Sequence, residues 1–289
     1  MQNRRAFVKQ MSLITGAMAL GGLTNQLNSC NKKTASKPFG LQLYTLRDDF
    51  PKDPRGVLKQ VADAGYKQVE SFEGPKGMFW GMSNTEFKAY VEGLGMQVVS
   101  SHCDIHKDFE RKAGEAAAIG MKYLICPWLG PQKTLDDYKR AADTFNARGA
   151  VCKKEGLRFA YHNHDYSFTP LNGQFPQDVM MQATDPGLVD YEMDIYWVVT
   201  AGQDPKAWFD KYPNRFRLSH VKDRQKGIAA SEKNASVNVG TGSIAWADVL
   251  DRAEDRGMQY FIVEQERYEG TTPLQAVAAN ARFMQQLRY

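Results

Sequence analysis

The sequence predicts an α/β fold of the closed (β/α)8 TIM barrel kind, and three observations carry that reading. A glycine followed by an apolar residue recurs at Ala64-Gly65-Tyr66, Leu94-Gly95-Met96, Ile119-Gly120-Met121, Glu155-Gly156-Leu157 and Arg256-Gly257-Met258. Each copy follows a helix-like stretch and opens a β-prone one. Glycine there closes the last helical turn in the left-handed conformation, and the apolar residue enters a buried strand. The intervals are 30, 25, 36 and 101 residues, and the last divides into about three units the size of a βαβ module. Eight β-rich apolar runs are the second observation. The third is that Gly40-Leu41-Gln42-Leu43-Tyr44 carries no dinucleotide-type glycine fingerprint, which favours the closed barrel over an open doubly wound sheet.

In order, the strand-like runs occupy residues 39–43, 68–71, 97–101, 123–126, 158–162, 188–194, 216–220 and 260–264. Helical patterns fill the gaps, most clearly at 135–154, 244–255 and 273–287. Asn84 or Ser83, Ser243 and Thr272 read as N-caps, and Pro54, Pro205 and Pro273 stand where a first-turn proline is tolerated.

The N-terminal stretch has a different composition. Asn3-Arg4-Arg5-Ala6-Phe7-Val8-Lys9 precedes an uncharged run of small and apolar residues at 11–23. That pattern resembles a Tat export signal, and the run is too short to span a bilayer. Leu27-Asn28-Ser29-Cys30 resembles a lipobox, departing from it at Asn28. Residues 1–30 are therefore read as a Tat-type lipoprotein signal, 31–37 as a flexible tether and 38–289 as a single barrel domain. The expectation is an exported protein, periplasmic or membrane-anchored, that meets the membrane only through a lipid on Cys30.

Residues 1–30 hold Arg4, Arg5 and Lys9 and no acid, so without them the formal net charge falls from +4 to +1. A body so close to neutral offers no clustered basic face, which argues against a nucleic-acid partner. Cys103, Cys126 and Cys152 are odd in number and lack CxxC spacing, so they read as buried free thiols without chemistry. The composition is compatible with a homo-oligomer.

In a parallel barrel the C-terminal ends of all eight strands share one mouth. The residues falling there are Tyr44, Glu70, His102, Trp128, His162 with His164, Asp194, His220 with Lys222, and Glu264 with Glu266. Four of the chain's five histidines are among them; His106 is the exception. His162, Asp194, His220 and Glu264 end strands five to eight and so neighbour one another around the ring. Two imidazoles and two carboxylates suit one divalent metal ion, Mn²⁺, Co²⁺, Zn²⁺ or Mg²⁺.

The strings Tyr161-His162-Asn163-His164-Asp165-Tyr166, Glu192-Met193-Asp194-Ile195-Tyr196-Trp197, His220-Val221-Lys222-Asp223 and Phe261-Ile262-Val263-Glu264-Gln265-Glu266 resemble the xylose isomerase-like barrels known as sugar phosphate isomerases/epimerases. The resemblance runs in order from Phe39 to the C-terminus; the superfamily includes inosose dehydratases, ketose epimerases and endonuclease IV. It implies a metal held by a Glu, an Asp, a His and a Glu after strands five to eight. Asp194, His220 and Glu264 match the last three, whereas His162 stands where ketose epimerases have a Glu. Because those epimerases use two ligand glutamates as opposing bases, the departure disfavours two-base epimerisation. It favours one-base isomerisation, hydration or elimination.

Further roles follow from position. His164 shares the strand face of His162 and is an alternative ligand or acid/base. Lys222 shares that of His220 and could bond an oxygen gaining charge. Glu70 is a candidate base or sugar ligand, and His102 a polar contact. Tyr44, Trp128 and Trp197 could stack on a sugar ring. The Asn238-Val239-Gly240-Thr241-Gly242-Ser243 loop follows strand seven, where barrels often cradle phosphate, but a GxG before a capped helix is equally a tight turn. Export favours an unphosphorylated substrate.

The expected function is a metal-dependent isomerase or epimerase acting on an unphosphorylated sugar or keto-sugar. The metal acidifies a C–H beside a carbonyl, and Glu264, Glu70 or His164 removes the proton to give an enediolate. A keto-sugar hydratase or lyase is the first alternative, because the HNHD and HxKD strings are similar to exported barrels linked to 3-keto-glucoside breakdown. A non-catalytic glycan-binding lipoprotein is the second.

Overall fold

A computed structural model describes residues 37–289; the leader, Cys30 and the tether up to residue 36 lie outside the described residues. The strands are β1 (Gly40–Gln42), β2 (Gln68–Phe72), β3 (Gln97–His102), β4 (Tyr123–Cys126), β5 (Arg158–His162), β6 (Val189–Asp194), β7 (Phe216–Val221), β8 (Asp223–Arg224), β9 (Ser236–Val237) and β10 (Tyr260–Val263). Those matching the eight apolar runs pair into a closed barrel in the order β1-β10-β7-β6-β5-β4-β3-β2. Every pairing in it is parallel. The extra pair, β8 and β9, is a short antiparallel ribbon beside the mouth.

The helices are α1 (Pro54–Ala64), α2 (Asn84–Gly93), α3 (Phe109–Ala118), α4 (Leu135–Lys154), α5 (Pro176–Ala183), α6 (Ile195–Thr200), α7 (Pro205–Lys211), α8 (Trp246–Asp255) and α9 (Pro273–Gln286). All five repeat glycines have positive φ, from +75° at Gly95 to +105° at Gly65, so the αβ joint is a physical unit. Ser83 caps α2 through a capping box with Glu86, and Thr272 caps α9 through one with Gln275. Ser243 does not cap α8. That helix starts at Trp246 after Ala245 with no side-chain cap, because the Ser243 amide donates to the Arg224 carbonyl at 2.7 Å and holds the loop back.

Apolar residues fill two spaces. A large cluster packs between strands and helices, including Leu41, Val69, Leu124, Phe159, Tyr191, Phe216 and Phe261. A small one, Tyr123, Ile125, Ala160 and Leu218 with Tyr260 against it, plugs the barrel interior. Below the plug Arg158 pairs with Asp190, which also accepts from the Tyr123 hydroxyl at 3.0 Å. The interior is thus closed underneath, and inward residues above the plug face the mouth.

Close packing is clearest where α4 crosses the start of β6. A Cβ built on Gly149 meets the Leu188 carbonyl oxygen at 2.7 Å, while one on Gly114 in α3 meets nothing within 4 Å. Helix propensity favours alanine over glycine by about 1 kcal/mol, and overpacking against backbone costs about 1–3 kcal/mol. Gly114→Ala is therefore expected to raise stability in denaturant unfolding, and Gly149→Ala to lower it despite the same propensity gain. Equal effects at both sites would contradict this packing.

Candidate metal centre

The polar layer sits directly above the apolar plug. Inward positions of β5, β6 and β7 end in His162, Glu192 with Asp194, and His220, and β10 leads into Glu264. Each of these side chains is buried. The β2–β3 pairing shifts register at Val69/Glu70, where Val99 on β3 is the extra residue, and the β6–β7 pairing shifts at Tyr191/Glu192, where Arg217 on β7 is the extra residue. Bulges of this kind re-aim side chains at barrel rims.

His162, Asp194, His220 and Glu264, the four residues expected to converge, do converge. One ligand atom from each lies within 4.8 Å of the others. Asp194 is fixed twice over: its Oδ1 accepts from the Trp197 amide at 3.3 Å, and Asn163 bonds both its backbone N–H and its carbonyl. The Nδ1 of His162 is 3.1 Å from the Pro127 carbonyl, an acceptor only, so it carries the proton and leaves Nε2 bare. Among the described residues His162 Nε2, Asp194 Oδ2 and His220 Nδ1 are buried without a hydrogen-bond partner. Buried polar atoms are seldom left so, and three facing one point fit a divalent cation.

Beneath this group lies a second layer. Glu70, which the sequence offered as a base, is fully buried and absent from the cavity wall. Its oxygens accept from Gln42 Nε2 at 2.7 Å, His220 Nε2 at 2.9 Å and Ser100 Oγ at 2.5 Å. His102 Nε2 is 2.8 Å from Glu192 Oε2 and 3.2 Å from Glu70 Oε1. Glu192 was not singled out from the sequence; its signal is its spacing, two residues before Asp194 and so on the same inward face.

The cavity above holds about 400 Å³. His102, His162, His164, Lys222, Glu264 and Glu266 supply its polar wall, while Tyr44, Phe72, Trp128 and Trp197 supply its aromatic wall. Trp128 and Tyr44 are 56% and 39% exposed, both at this mouth. His164 lies edge-on to Trp128 at 4.4 Å between ring centroids. Glu73 and Asp104 also line the cavity and were not anticipated. His106 is exposed and does not line the cavity.

Charge decides protonation. Burial works against ionised Asp194 and Glu264, but Lys222 together with the imidazoles, His162 and His220 for Asp194 and His220 for Glu264, outweighs it and holds both carboxyls well below their usual range. Lys222 Nζ lies 3.2 Å from Glu264 and 3.7 Å from Asp194, and pairs with Glu266. Burial disfavours its charge too, yet these carboxylates keep it protonated. Burial and the neighbouring His162 push His164 down to about 2, so its imidazole is neutral. Burial and the Glu70 charge push the Glu192 carboxyl up, a sign that buried acid is in excess. The thiols behave as expected: Cys103, Cys126 and Cys152 are free and buried, and burial raises Cys126 to about 12.

The glycine loop after β7 is already filled by an internal anion. Asp223 accepts from the amides of Gly240 at 2.8 Å, Gly242 at 3.0 Å and Ile244 at 3.3 Å. A Cβ on Gly242 would lie 2.1 Å from the Asp223 carboxylate, so the glycine is needed for this contact rather than for phosphate.

A family model described as xylose isomerase-like TIM barrel matches residues 58–287. An inosose dehydratase of Lacticaseibacillus casei is 27% identical over 246 residues, covering 75% of each protein. A crystal structure of a sugar phosphate isomerase/epimerase from Parabacteroides distasonis superposes with a TM-score of 0.74 at 27% identity, over 90% of this chain and 97% of that one. A zinc-containing structure of the IolI protein superposes with a TM-score of 0.69 over 85% of this chain and 96% of that one; at 14% identity the likeness is of fold alone.

The donor geometry makes a direct prediction. Chelator-treated protein should take up one equivalent of Mn²⁺ or Co²⁺ in calorimetric titration. Asp194→Asn keeps the helix-capping oxygen but loses a charged ligand, so its affinity should fall by more than the roughly 10–100-fold expected for losing a supporting group. Unchanged affinity would remove Asp194 from the centre.

Proposed function

The chain belongs to the xylose isomerase-like TIM barrel family, and from that premise we propose that it is a divalent-metal-dependent enzyme eliminating water from an unphosphorylated keto-sugar or keto-polyol. The observation that carries the reading is the set of bare, buried donors of His162, Asp194 and His220, beside Glu264, at the floor of a sugar-sized, aromatic-walled cavity. A cation bound there would supply Lewis acidity to a carbonyl and so acidify the neighbouring C–H.

The chain's own residues supply the proton transfers. Of the candidate bases, Glu264 lines the cavity as an ionised carboxylate and accepts the proton, while Glu70 is withheld beneath it. The C–H bond breaks, its electron pair forms a C=C bond, and the neighbouring C–O bond breaks as the departing hydroxyl takes back the proton that Glu264 accepted, leaving as water and returning Glu264 to its carboxylate. Lys222 donates to the oxygen that gains negative charge. His164, neutral between Trp128 and Trp197, hydrogen-bonds substrate hydroxyls without charge. Trp128 and Tyr44 offer ring faces to the sugar.

Elimination is preferred because His162 replaces the second glutamate that opposing-base epimerisation needs, and the inosose dehydratase relative agrees with it. Isomerisation is the second reading, favoured by the Parabacteroides likeness. The Asp223 carboxylate in the loop after β7 supports an unphosphorylated substrate. Export and a lipid on Cys30 belong to the same proposal and rest on the leader sequence.

Metal-loaded protein incubated in D₂O with keto-polyols of the inosose class and with 3-keto-glucosides should give a product lighter by one water, with deuterium entering beside the carbonyl in recovered substrate. An isomeric product of unchanged mass would select the second reading, and no turnover of any keto-sugar would overturn both. Lys222→Met should cut kcat by about 10²–10³-fold while metal affinity stays equal or rises, since a cation beside the ligands is gone. Parallel loss of both would contradict the assigned role.

A further inference from the structure

We propose that Glu70 is a positioning residue that sets the tautomer of His220, so that His220 presents Nδ1 and not Nε2 to the cation. The inference rests on the upper group being the metal centre. A carboxylate only accepts hydrogen bonds, and the groups around Glu70 are placed as donors: Gln42 turns its Nε2 to Glu70 because its Oε1 accepts from the Tyr44 amide at 3.0 Å, and the Ser100 hydroxyl also donates to it. The His220 Nε2 at 2.9 Å from Glu70 Oε1 therefore carries a hydrogen. A neutral imidazole has one N–H, which leaves Nδ1 with a lone pair. Nδ1 is the buried nitrogen without a partner, 3.2 Å from Glu264 Oε2 and 3.8 Å from Asp194 Oδ2.

Glu70 is itself built in. Gln42 Nε2 donates to Oε1 at 2.7 Å and Ser100 Oγ to Oε2 at 2.5 Å, so three donors from β1, β3 and β7 hold one carboxylate. Glu70 points inward by the alternation of β2, with Val69 before it in the apolar layer outside the barrel, and the register shift against β3 brings Ser100 opposite it. A carboxylate behind a ligating imidazole fixes the ring and raises its basicity toward the metal. His162 is set likewise by the Pro127 carbonyl, a neutral acceptor, so the two imidazoles are unequal donors.

The rival is a second cation among Glu70, His102, Glu192 and His220, whose donor atoms also lie within 4.8 Å of one another. The hydrogen bonds argue against it. The Nε2 atoms of His102 and His220 are already spent on carboxylates at 2.8 and 2.9 Å, so Glu192 Oε1 is the one bare donor atom which that group does not share with the upper one, whereas three of the upper four residues present a bare atom. Serving both cations would require His220 to lose both ring protons.

The test is Co²⁺ binding to the full-length wild type, Glu70→Gln and Ser100→Ala, read by calorimetry and by the visible Co²⁺ spectrum. In Glu70→Gln an amide replaces the charged acceptor at equal size. The proposal expects one ion per chain in all three, an affinity loss of about 10–100-fold in Glu70→Gln with an altered spectrum, and a smaller loss in Ser100→Ala. Wild-type affinity and spectrum in Glu70→Gln would reduce Glu70 to a packing residue. Two ions in wild type and one in Glu70→Gln would make Glu70 a ligand and overturn the proposal. If Glu70→Gln fails to fold, an unchanged affinity and spectrum in Ser100→Ala overturns it. No ion in wild type would overturn the centre itself, an outcome distinct from the rest.

Discussion

The structure depends on concentrating buried negative charge on the barrel axis. Closing eight parallel strands brings the ends of β5, β6, β7 and β10 to one point, and the chain places His162, Asp194, His220 and Glu264 there. Below them stand Glu70 and Glu192, also fully buried. A buried carboxylate costs several kcal/mol unless it is paired and hydrogen-bonded. Lys222 and the imidazoles supply part of that compensation, and the raised Glu192 shows that they do not supply all of it. A divalent cation bound among the bare donors would complete the balance.

The same constraint organises what surrounds the centre. The apolar plug of Tyr123, Ile125, Ala160 and Leu218 seals the axis from below, so the polar layer opens only toward the cavity. Asp223 fills the loop after β7 with a carboxylate from the chain itself, which ties that loop to the segment just past β7 that carries Lys222. The aromatic wall from Tyr44 to Trp197 then presents flat apolar faces above a charged floor, a division suited to a sugar with one hydroxylated edge and one C–H face. Function is thus layered along one axis, from sealing to charge to recognition.

Much of this was legible in the residues because the signals are local. The glycine joints need positive φ whatever the tertiary context, so they marked helix ends before any strand pairing was known. The four upper donor residues were legible because they end strands, where a polar residue after an apolar run stands out. Glu192 was hidden inside strand Val189–Asp194, where Asp190, Glu192 and Asp194 alternate with apolar residues and only the strand end stands out, so the two-residue spacing to Asp194 alone betrays it. The contacts of Glu70 with Gln42 and Ser100 could not be read, because they depend on the shear between β1, β2 and β3 and on a bulge the sequence does not signal. Ser243 misled for a related reason: its loop is held by Asp223 and Arg224, so α8 starts later than its capping pattern suggests.

The most direct measurement is anomalous diffraction from crystals grown with Mn²⁺, recorded at the manganese edge. The account predicts one peak on the barrel axis, bonded to His162 Nε2, Asp194 Oδ2, His220 Nδ1 and Glu264. A peak held by other groups, or none at this meeting point at full manganese loading, would contradict it.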